Sequence, residues 1–196
     1  GIYFNQGHVC CAGSRLLVQE SIYESTIAKL KRRLETLRLG DPLDKNTDIG
    51  AINSKMQLDR ITELVEAGKE EGAEIYQPPC RLPEKGWWFA PTVFTNVAQS
   101  HRIAQEEIFG PVLSVLTFRT PDEAVEKANN TMYGLSAGVW TEKGSRILPT
   151  AITEIFTCPG LRRTPRRLRV AAPCSDEYQR CTGRPPGGPG RRGWSG

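Results

Sequence analysis

The sequence predicts an α/β domain with a mostly parallel sheet, followed by a tail that has no core of its own. Signals for helix starts alternate along the chain with short apolar runs that are typical of strands. The content of 38% hydrophobic and 24% charged residues is that of an average globular protein. The last 39 of the 196 residues are instead dominated by Arg, Pro and Gly.

Three helices are predicted from their first turns, each with the spacing of a capping box. The three pairs are Ser21 and Glu24, Ser54 and Gln57, and Thr120 and Glu123. Apolar residues follow each pair at helical spacing, and Gly or Asn is expected to end each helix. The expected ends lie near Gly40, near Gly68 or Gly72, and at Asn129.

Five short runs rich in Val, Leu, Phe, Tyr and Trp are predicted to be strands. They are Arg15–Gln19, Ala73–Tyr76, Pro91–Val97, Val112–Phe118 and Ala137–Thr141. Because helices are interleaved with these runs, we expect a largely parallel sheet. The stretch between Pro78 and Gly86 is predicted to be a surface loop.

Charge is distributed unevenly along the chain. Residues 158–196 contain nine Arg, no Lys and two acidic residues, which gives this segment a net charge of +7. Because the net charge of the whole chain is +4, residues 1–157 carry a net charge of −3. With six Pro and seven Gly, residues 158–196 cannot bury enough apolar surface to offset the entropy of ordering. We predict a folded domain over 1–157 and a disordered tail over 158–196, whose composition is typical of a non-native reading frame or an alternative exon.

Composition also excludes several classes of function. No apolar run reaches the ~20 residues of a membrane helix, so we expect no membrane insertion. We expect no nucleic-acid binding, since the tail has only Tyr178 and Trp194 as aromatic residues and no folded module. The six cysteines and two histidines show neither disulfide nor metal-ligand spacing, so we expect a reduced cytoplasmic protein with free thiols and no metal. The chain opens without Met inside an apparent packed segment, so we expect a fragment.

The segment FNQGHVCCAGSR, between Phe4 and Arg15, is the first candidate for chemistry. Two glycines bracket a cysteine pair just before a predicted strand, which suits a tight turn that presents a thiol. A cysteine attacks carbonyl carbon when its pKa is lowered or a base lies nearby. These residues alone leave open whether Cys10 and Cys11 are reactive or are small buried residues.

The second candidate is EEIFGPV, which begins at Glu106 and leads into a strand. Adjacent side chains on an extended backbone point to opposite sides, so Glu106 and Glu107 cannot both face one pocket. One of them could accept hydrogen bonds from a sugar diol or act as an acid or base. Spacing alone favours the alternative that both are solvated, and that Phe109 is a core residue rather than a partner for a ligand ring.

Together with NNTMYGL (Asn129–Leu135), these two segments resemble the catalytic domain of the aldehyde dehydrogenase superfamily in order and spacing. The resemblance covers about residues 1–143. It implies the fold of that catalytic domain, of which this chain would hold only a part. A finer similarity points to the family 16 branch. The resemblance makes Cys10 the nucleophile and Cys11 its non-catalytic neighbour. Glu107 then binds the nicotinamide ribose hydroxyls, and Phe109 packs beside the nicotinamide.

Three further residues are matched less closely by the resemblance. Gln57 and Arg60 fall at positions that contact the cofactor in some members of the family. His8 replaces the more common glutamine or glutamate. It either tunes the thiol through a hydrogen bond or, as we favour, has a surface or packing role.

The implied activity is oxidation of a small-molecule aldehyde to a carboxylic acid with NAD or NADP, through a covalent thioester on the cysteine. The resemblance also implies that the intact parent protein is a homo-oligomer. The family's oxyanion-binding Asn, its general-base glutamate and its dinucleotide-binding domain are missing from these 196 residues, so we expect the chain alone to be inactive. The alternatives are a non-catalytic binding or regulatory subunit, and an unstable product without a role.

Overall fold

The computed structural model describes residues 1–141, which form four strands and four α-helices. The strands are β1 (Arg15–Gln19), β2 (Glu74–Tyr76), β3 (Thr92–Thr95) and β4 (Val112–Phe118). The helices are α1 (Tyr23–Leu34), α2 (Lys55–Glu70), α3 (Arg102–Gln105) and α4 (Pro121–Asn129). The predicted tail over 158–196 lies outside the described residues.

The strands form one sheet in the order β1-β4-β3-β2. Strand β4 pairs in parallel with β1 and with β3, while β2 pairs antiparallel with β3. The prediction of an α/β fold with a mostly parallel sheet is therefore confirmed.

The parallel pairing brings distant parts of the sequence to one edge of the sheet. Arg15 lies opposite Ser114, and Thr92 lies opposite Val112, so β1, β3 and β4 begin at the same edge. The segments that precede β1 and β4 are the ones that carry the cysteine pair and Glu107. The topology therefore places both candidate segments at the amino edge of the parallel strands, although about 100 residues separate them in sequence.

Helices cover both faces of the sheet. Residues of α2 and α3 pack on one face with Phe94 and Val112, and residues of α1 pack on the other with Val93 and Leu113. Successive strand residues thus point into different cores, as a sheet buried on both faces requires. Gly68 lets α2 approach α3 closely, because a Cβ there would lie 2.9 Å from two carbons of the Ile103 side chain.

Two of the three predicted helix starts are confirmed. The Ser54 hydroxyl accepts a hydrogen bond from the Gln57 N–H at the start of α2, and the Thr120 hydroxyl accepts one from the Glu123 N–H at the start of α4. The ends predicted near Gly72 and at Asn129 agree with α2 ending at Glu70 and α4 at Asn129.

The capping box predicted at Ser21 is wrong. A 3₁₀ turn, Glu20–Ile22, occupies that position, and α1 starts after Ile22 without a side-chain cap. The helix also ends at Leu34 and not near Gly40. The Thr36 hydroxyl donates a hydrogen bond to the Arg33 carbonyl at 2.8 Å. It thereby satisfies a carbonyl in the last turn that would otherwise need the N–H of a longer helix.

The strand predicted over Ala137–Thr141 is also wrong. Within the described part of the chain, residues 137–141 are not assigned to a strand, and the Trp140 side chain is 93% exposed. Their composition favours a strand, but composition does not supply a neighbouring strand with which to pair.

Candidate active site

The segment before the cysteine pair is a strained 3₁₀ turn, Phe4–Gly7. Asn5, Gln6 and Gly7 all have positive φ, at 49°, 58° and 74°. Such angles are costly for residues with a side chain. The Gln6 side chain offsets part of this cost, since its Oε1 accepts a hydrogen bond from the Gly50 N–H at 3.0 Å.

Gly7 is the point at which this turn contacts the second candidate segment. A Cβ on Gly7 would lie 2.0 Å from the carbonyl oxygen of Gly110. Only glycine allows the two backbones to come this close, and its φ of 74° is in the region that glycine adopts freely. The sequence prediction that a glycine permits a tight turn before the cysteine pair is confirmed at Gly7 and is not borne out at Gly13, which has no positive φ. The contact with Gly110 was not predicted.

Both cysteines after the turn are exposed free thiols. The alternative that Cys10 and Cys11 are small buried residues is therefore wrong. The backbone around them is held by bonds from Ala12 N–H to the Val9 carbonyl and from the Ser136 hydroxyl to the Cys11 carbonyl, at 2.9 and 3.0 Å. The backbone N–H of Cys10 donates no hydrogen bond within residues 1–141.

The second segment is held by α2. The side-chain amide of Gln57 donates to the carbonyls of Ile108 and Phe109, each at 3.0 Å. Phe109 has a φ of 54°, so this bonding stabilises a backbone conformation that a bulky residue rarely adopts. Gln57, which the resemblance matched loosely to a cofactor contact, therefore positions the loop that carries Glu107 and Phe109.

The two adjacent glutamates have different environments. Glu106 forms ion pairs with Arg60 and Arg102, and both arginines also pair with Glu63. Arg102 Nε donates a hydrogen bond to Glu106 Oε1 at 2.7 Å. This bond contributes more than any other interaction to lowering the pKa of Glu106. Arg60 is thus occupied by two carboxylates, a role that the sequence reasoning missed.

Glu107 has no hydrogen bond or ion pair within the described residues and is half-buried. Burial raises the pKa of its carboxyl. The prediction that both carboxylates are merely solvated is wrong, because Glu106 is ion-paired and Glu107 is partly withdrawn from water. The side chain of Glu107 retains the capacity to accept hydrogen bonds from a ligand.

Phe109 is half-buried and stacks on His8, with ring centroids 5.7 Å apart and an interplanar angle of 7°. The contact joins the loop that carries Cys10 to the loop that carries Glu107. The expectation that Phe109 is a core residue is wrong, and the packing role favoured for His8 is confirmed. Taken together, one edge of the sheet presents an exposed thiol, an unpartnered carboxylate and an aromatic ring.

The model of the aldehyde dehydrogenase family matches residues 1–153. The chain belongs to this family. The match runs ten residues beyond residue 143, where we expected the resemblance to stop.

Other aldehyde dehydrogenases show the same similarity in sequence and structure. "Aldehyde dehydrogenase, cytosolic 1" of Rattus norvegicus is 44% identical over 148 residues, 76% of this chain and 30% of that protein. An NAD-dependent aldehyde dehydrogenase from Sinorhizobium meliloti is 46% identical with a TM-score of 0.73, over 76% of this chain and 30% of that one. The P. syringae indole-3-acetaldehyde dehydrogenase AldA, solved with NAD+ and IAA, is 45% identical with a TM-score of 0.74, over 78% and 31%.

The chain therefore spans about three tenths of the length of the aldehyde dehydrogenases it matches. Among the residues that the structure describes, none of the helices is both long and apolar enough to cross a bilayer. Over the same residues, His, Cys, Asp and Glu side chains do not gather in groups of three or more that could hold a metal ion.

Proposed function

We propose that this chain carries the nucleophile and part of the nicotinamide site of an enzyme that oxidises an aldehyde to a carboxylic acid with NAD+ or NADP+. One observation carries the proposal. The exposed Cys10 follows a turn that packs, through Gly7 and His8, directly against the loop of Glu107 and Phe109. A nucleophile and a candidate cofactor face are thereby held on one rigid edge of the sheet.

Cys10 supplies the covalent step. Its thiolate attacks the aldehyde carbon, forming a carbon–sulfur bond and a thiohemiacetal oxyanion. The backbone N–H of Cys10, which has no partner within residues 1–141, is available to stabilise that oxyanion. Loss of two electrons and a proton converts this adduct into a thioester, and water then releases the carboxylic acid and restores the thiol.

The residues of the second loop fit a nicotinamide nucleotide. The carboxylate of Glu107 lacks a partner within residues 1–141, so it can accept hydrogen bonds from a ribose diol without breaking an existing contact. The Phe109 ring is held by the His8 ring and by the bonds from Gln57, so it offers a fixed apolar surface. When bound, NAD+ or NADP+ supplies the two-electron oxidant.

The substrate, the cofactor, the cellular location, the oligomeric state and the branch of the family belong to the same proposal. The names of the relatives support an aldehyde substrate, NAD and a cytoplasmic location, since these include a cytosolic and an NAD-dependent aldehyde dehydrogenase. A homo-oligomeric parent and membership of the family 16 branch stay predictions from the resemblance. The family's oxyanion-binding Asn and general-base glutamate are not among these 196 residues, so we expect the chain alone to form the covalent adduct without completing turnover.

The proposal is tested by aldehyde protection of the thiols. The 196-residue chain is treated with iodoacetamide with and without a short aliphatic aldehyde, and alkylation of each cysteine is followed by mass spectrometry of its peptides. We expect the aldehyde to slow alkylation of Cys10 several-fold more than that of Cys11. Cys11→Ser is the matched control, since Cys11 is the exposed neighbouring thiol and the substitution leaves Cys10 in place.

Two results decide between the candidate functions. Selective protection of Cys10 that persists in Cys11→Ser supports a nucleophile. Equal alkylation of the two exposed thiols with no selective protection contradicts it and favours the non-catalytic alternative.

A further inference from the structure

We propose that His8 is a positioning residue, whose uncharged imidazole fixes the Phe109 ring and thereby aligns the Cys10 loop with the nicotinamide face. The inference rests on the proposed function and adds a residue and a pH dependence to it. The resemblance assigns no role to a histidine at this position.

The geometry singles out His8 as a side-chain link between the two loops. Its ring lies nearly parallel to that of Phe109, at 7° and 5.7 Å between centroids. Its backbone is fixed from the other side, because the His8 N–H donates to the Asn5 carbonyl at 2.9 Å and the His8 carbonyl accepts from the Asn5 side chain at 3.3 Å. Cys10 lies two residues further along the same loop, so the stack ties the loop that carries the proposed nucleophile to the loop that carries Glu107.

The stack closes off one nitrogen of the ring. His8 Nε2 is buried and has no hydrogen-bond partner within residues 1–141. A protonated imidazole carries an N–H on both nitrogens, so it would leave a charged donor unsatisfied at this position. Protonation therefore opposes the stacked arrangement and favours one in which the ring reaches water.

The charged groups around the stack do not offset this cost. The titratable groups next to the stack in sequence are Cys10 and Cys11 after His8 and Glu106 and Glu107 before Phe109, and Arg60 of α2 pairs with Glu106. Glu106 and Arg60 are paired with each other, and none of the five forms a hydrogen bond or ion pair with His8. Burial of the imidazole lowers the pKa of His8 below its ordinary value.

The expected behaviour follows from the sign of this shift. At neutral pH the ring is uncharged and the stack is intact. As the pH falls below the ordinary histidine value of about 6.5, the stack persists until the lowered pKa of His8 is reached, and then opens. The order of the Phe109 ring and the affinity for a nicotinamide nucleotide should both decline over that acid range.

The experiment uses NMR titrations of the full 196-residue chain. Ring signals of His8 and Phe109 are followed with pH, and the affinity for nicotinamide mononucleotide is measured at each pH. We expect the Phe109 signals to titrate together with His8. His8→Phe keeps a flat ring that cannot be protonated, so it should retain affinity at neutral pH and show a smaller acid decline than the parent chain, since protonation of Glu107 weakens binding in both. His8→Ala should weaken affinity about two- to tenfold at neutral pH.

His101→Gln is the control, since it removes the second histidine, which lies outside the stack, and should leave the Phe109 titration unchanged. An acid decline in His8→Phe as large as that of the parent chain, or Phe109 signals that do not follow His8, overturns the inference. The ring titration involves neither aldehyde nor nucleotide. Failure of aldehyde protection at Cys10 would therefore count against the proposed function and be distinguishable from failure of the His8–Phe109 coupling.

Discussion

Glu106 and Glu107 show how neighbouring residues of one type acquire different roles. Glu106 is tied into the pairs with Arg60 and Arg102, which lower its pKa and link α2 to α3. Glu107 has a pKa raised by burial and no partner within the described residues. A carboxylate left unpaired in a partly buried position costs stability when ionised, so its presence is better explained by a ligand than by folding.

This contrast predicts opposite effects for the two matched amide substitutions. Glu106→Gln should lower the Tm at neutral pH by no more than a few degrees, because exposed ion pairs contribute little. The difference should vanish in acid, since a carboxylate with a lowered pKa contributes fully above its unfolded pKa of about 4.3 and loses that contribution as the pH falls through its lower pKa in the folded protein.

Glu107→Gln should leave the Tm unchanged or raise it at neutral pH, because a carboxylate with a raised pKa destabilises the fold once ionised. It should weaken binding of nicotinamide mononucleotide by roughly tenfold, the loss expected for hydrogen bonds to a charged acceptor. Thermal unfolding and NMR titration measure the two effects. Loss of binding in Glu106→Gln with retention in Glu107→Gln would contradict the assignment.

At the scale of the elements, helix α2 positions much of the candidate site. Its first turn is capped by Ser54, and Gln57 in that same turn holds the Phe109 loop. Further along the helix, the Ile61 side chain is fully buried against the loop. A Cβ on Gly110 would lie only 2.6 Å from Ile61 Cδ1. A change at the start of α2 should therefore affect both stability and the loop.

Ser54→Ala should destabilise the chain by about 1 kcal/mol, because it removes the hydroxyl that accepts from the Gln57 N–H. Ser21→Ala is its control, since Ser21 also has the spacing of a capping box but α1 starts after Ile22 without a side-chain cap. Urea unfolding of the two variants measures the difference. An equal loss of stability at both positions would show that the cap at Ser54 is not the cause.

The elements that the sequence predicted correctly are those with their determinants nearby in the chain. The caps at Ser54 and Thr120 depend on residues within one turn. Strands β1 and β4 were predicted from their own apolar residues, and each finds a partner strand far away in the sequence. The false strand over Ala137–Thr141 failed because pairing depends on a distant partner. The proposed nucleophile and the proposed cofactor residues came from resemblance. The ion pairs of Arg60 and the stack of His8 on Phe109 depend on tertiary contacts that no local pattern encodes.

At the scale of the whole molecule, the candidate site depends on the sheet. Ligands of open α/β sheets usually bind beyond the carboxyl ends of the strands. Here the loops that carry Cys10 and Glu107 precede β1 and β4, so the candidate site lies at the amino edge. The parallel pairing of Arg15 with Ser114 is what brings loops about 100 residues apart into contact. The site should consequently persist only while the sheet is folded.

Removal of residues 158–196 tests whether the folded unit is confined to the first part of the chain. Among the described residues, both hydrophobic clusters are built from residues 2–115, and truncation would change the net charge of the chain from +4 to −3. We expect the urea midpoint and the m-value to stay unchanged, because the surface exposed on unfolding would be the same. The comparison should be made at low and high salt, since attraction between a +7 segment and a −3 domain is screened by added ions. A lower midpoint at both salt concentrations, or a smaller m-value, would show that residues 158–196 are part of the cooperative unit.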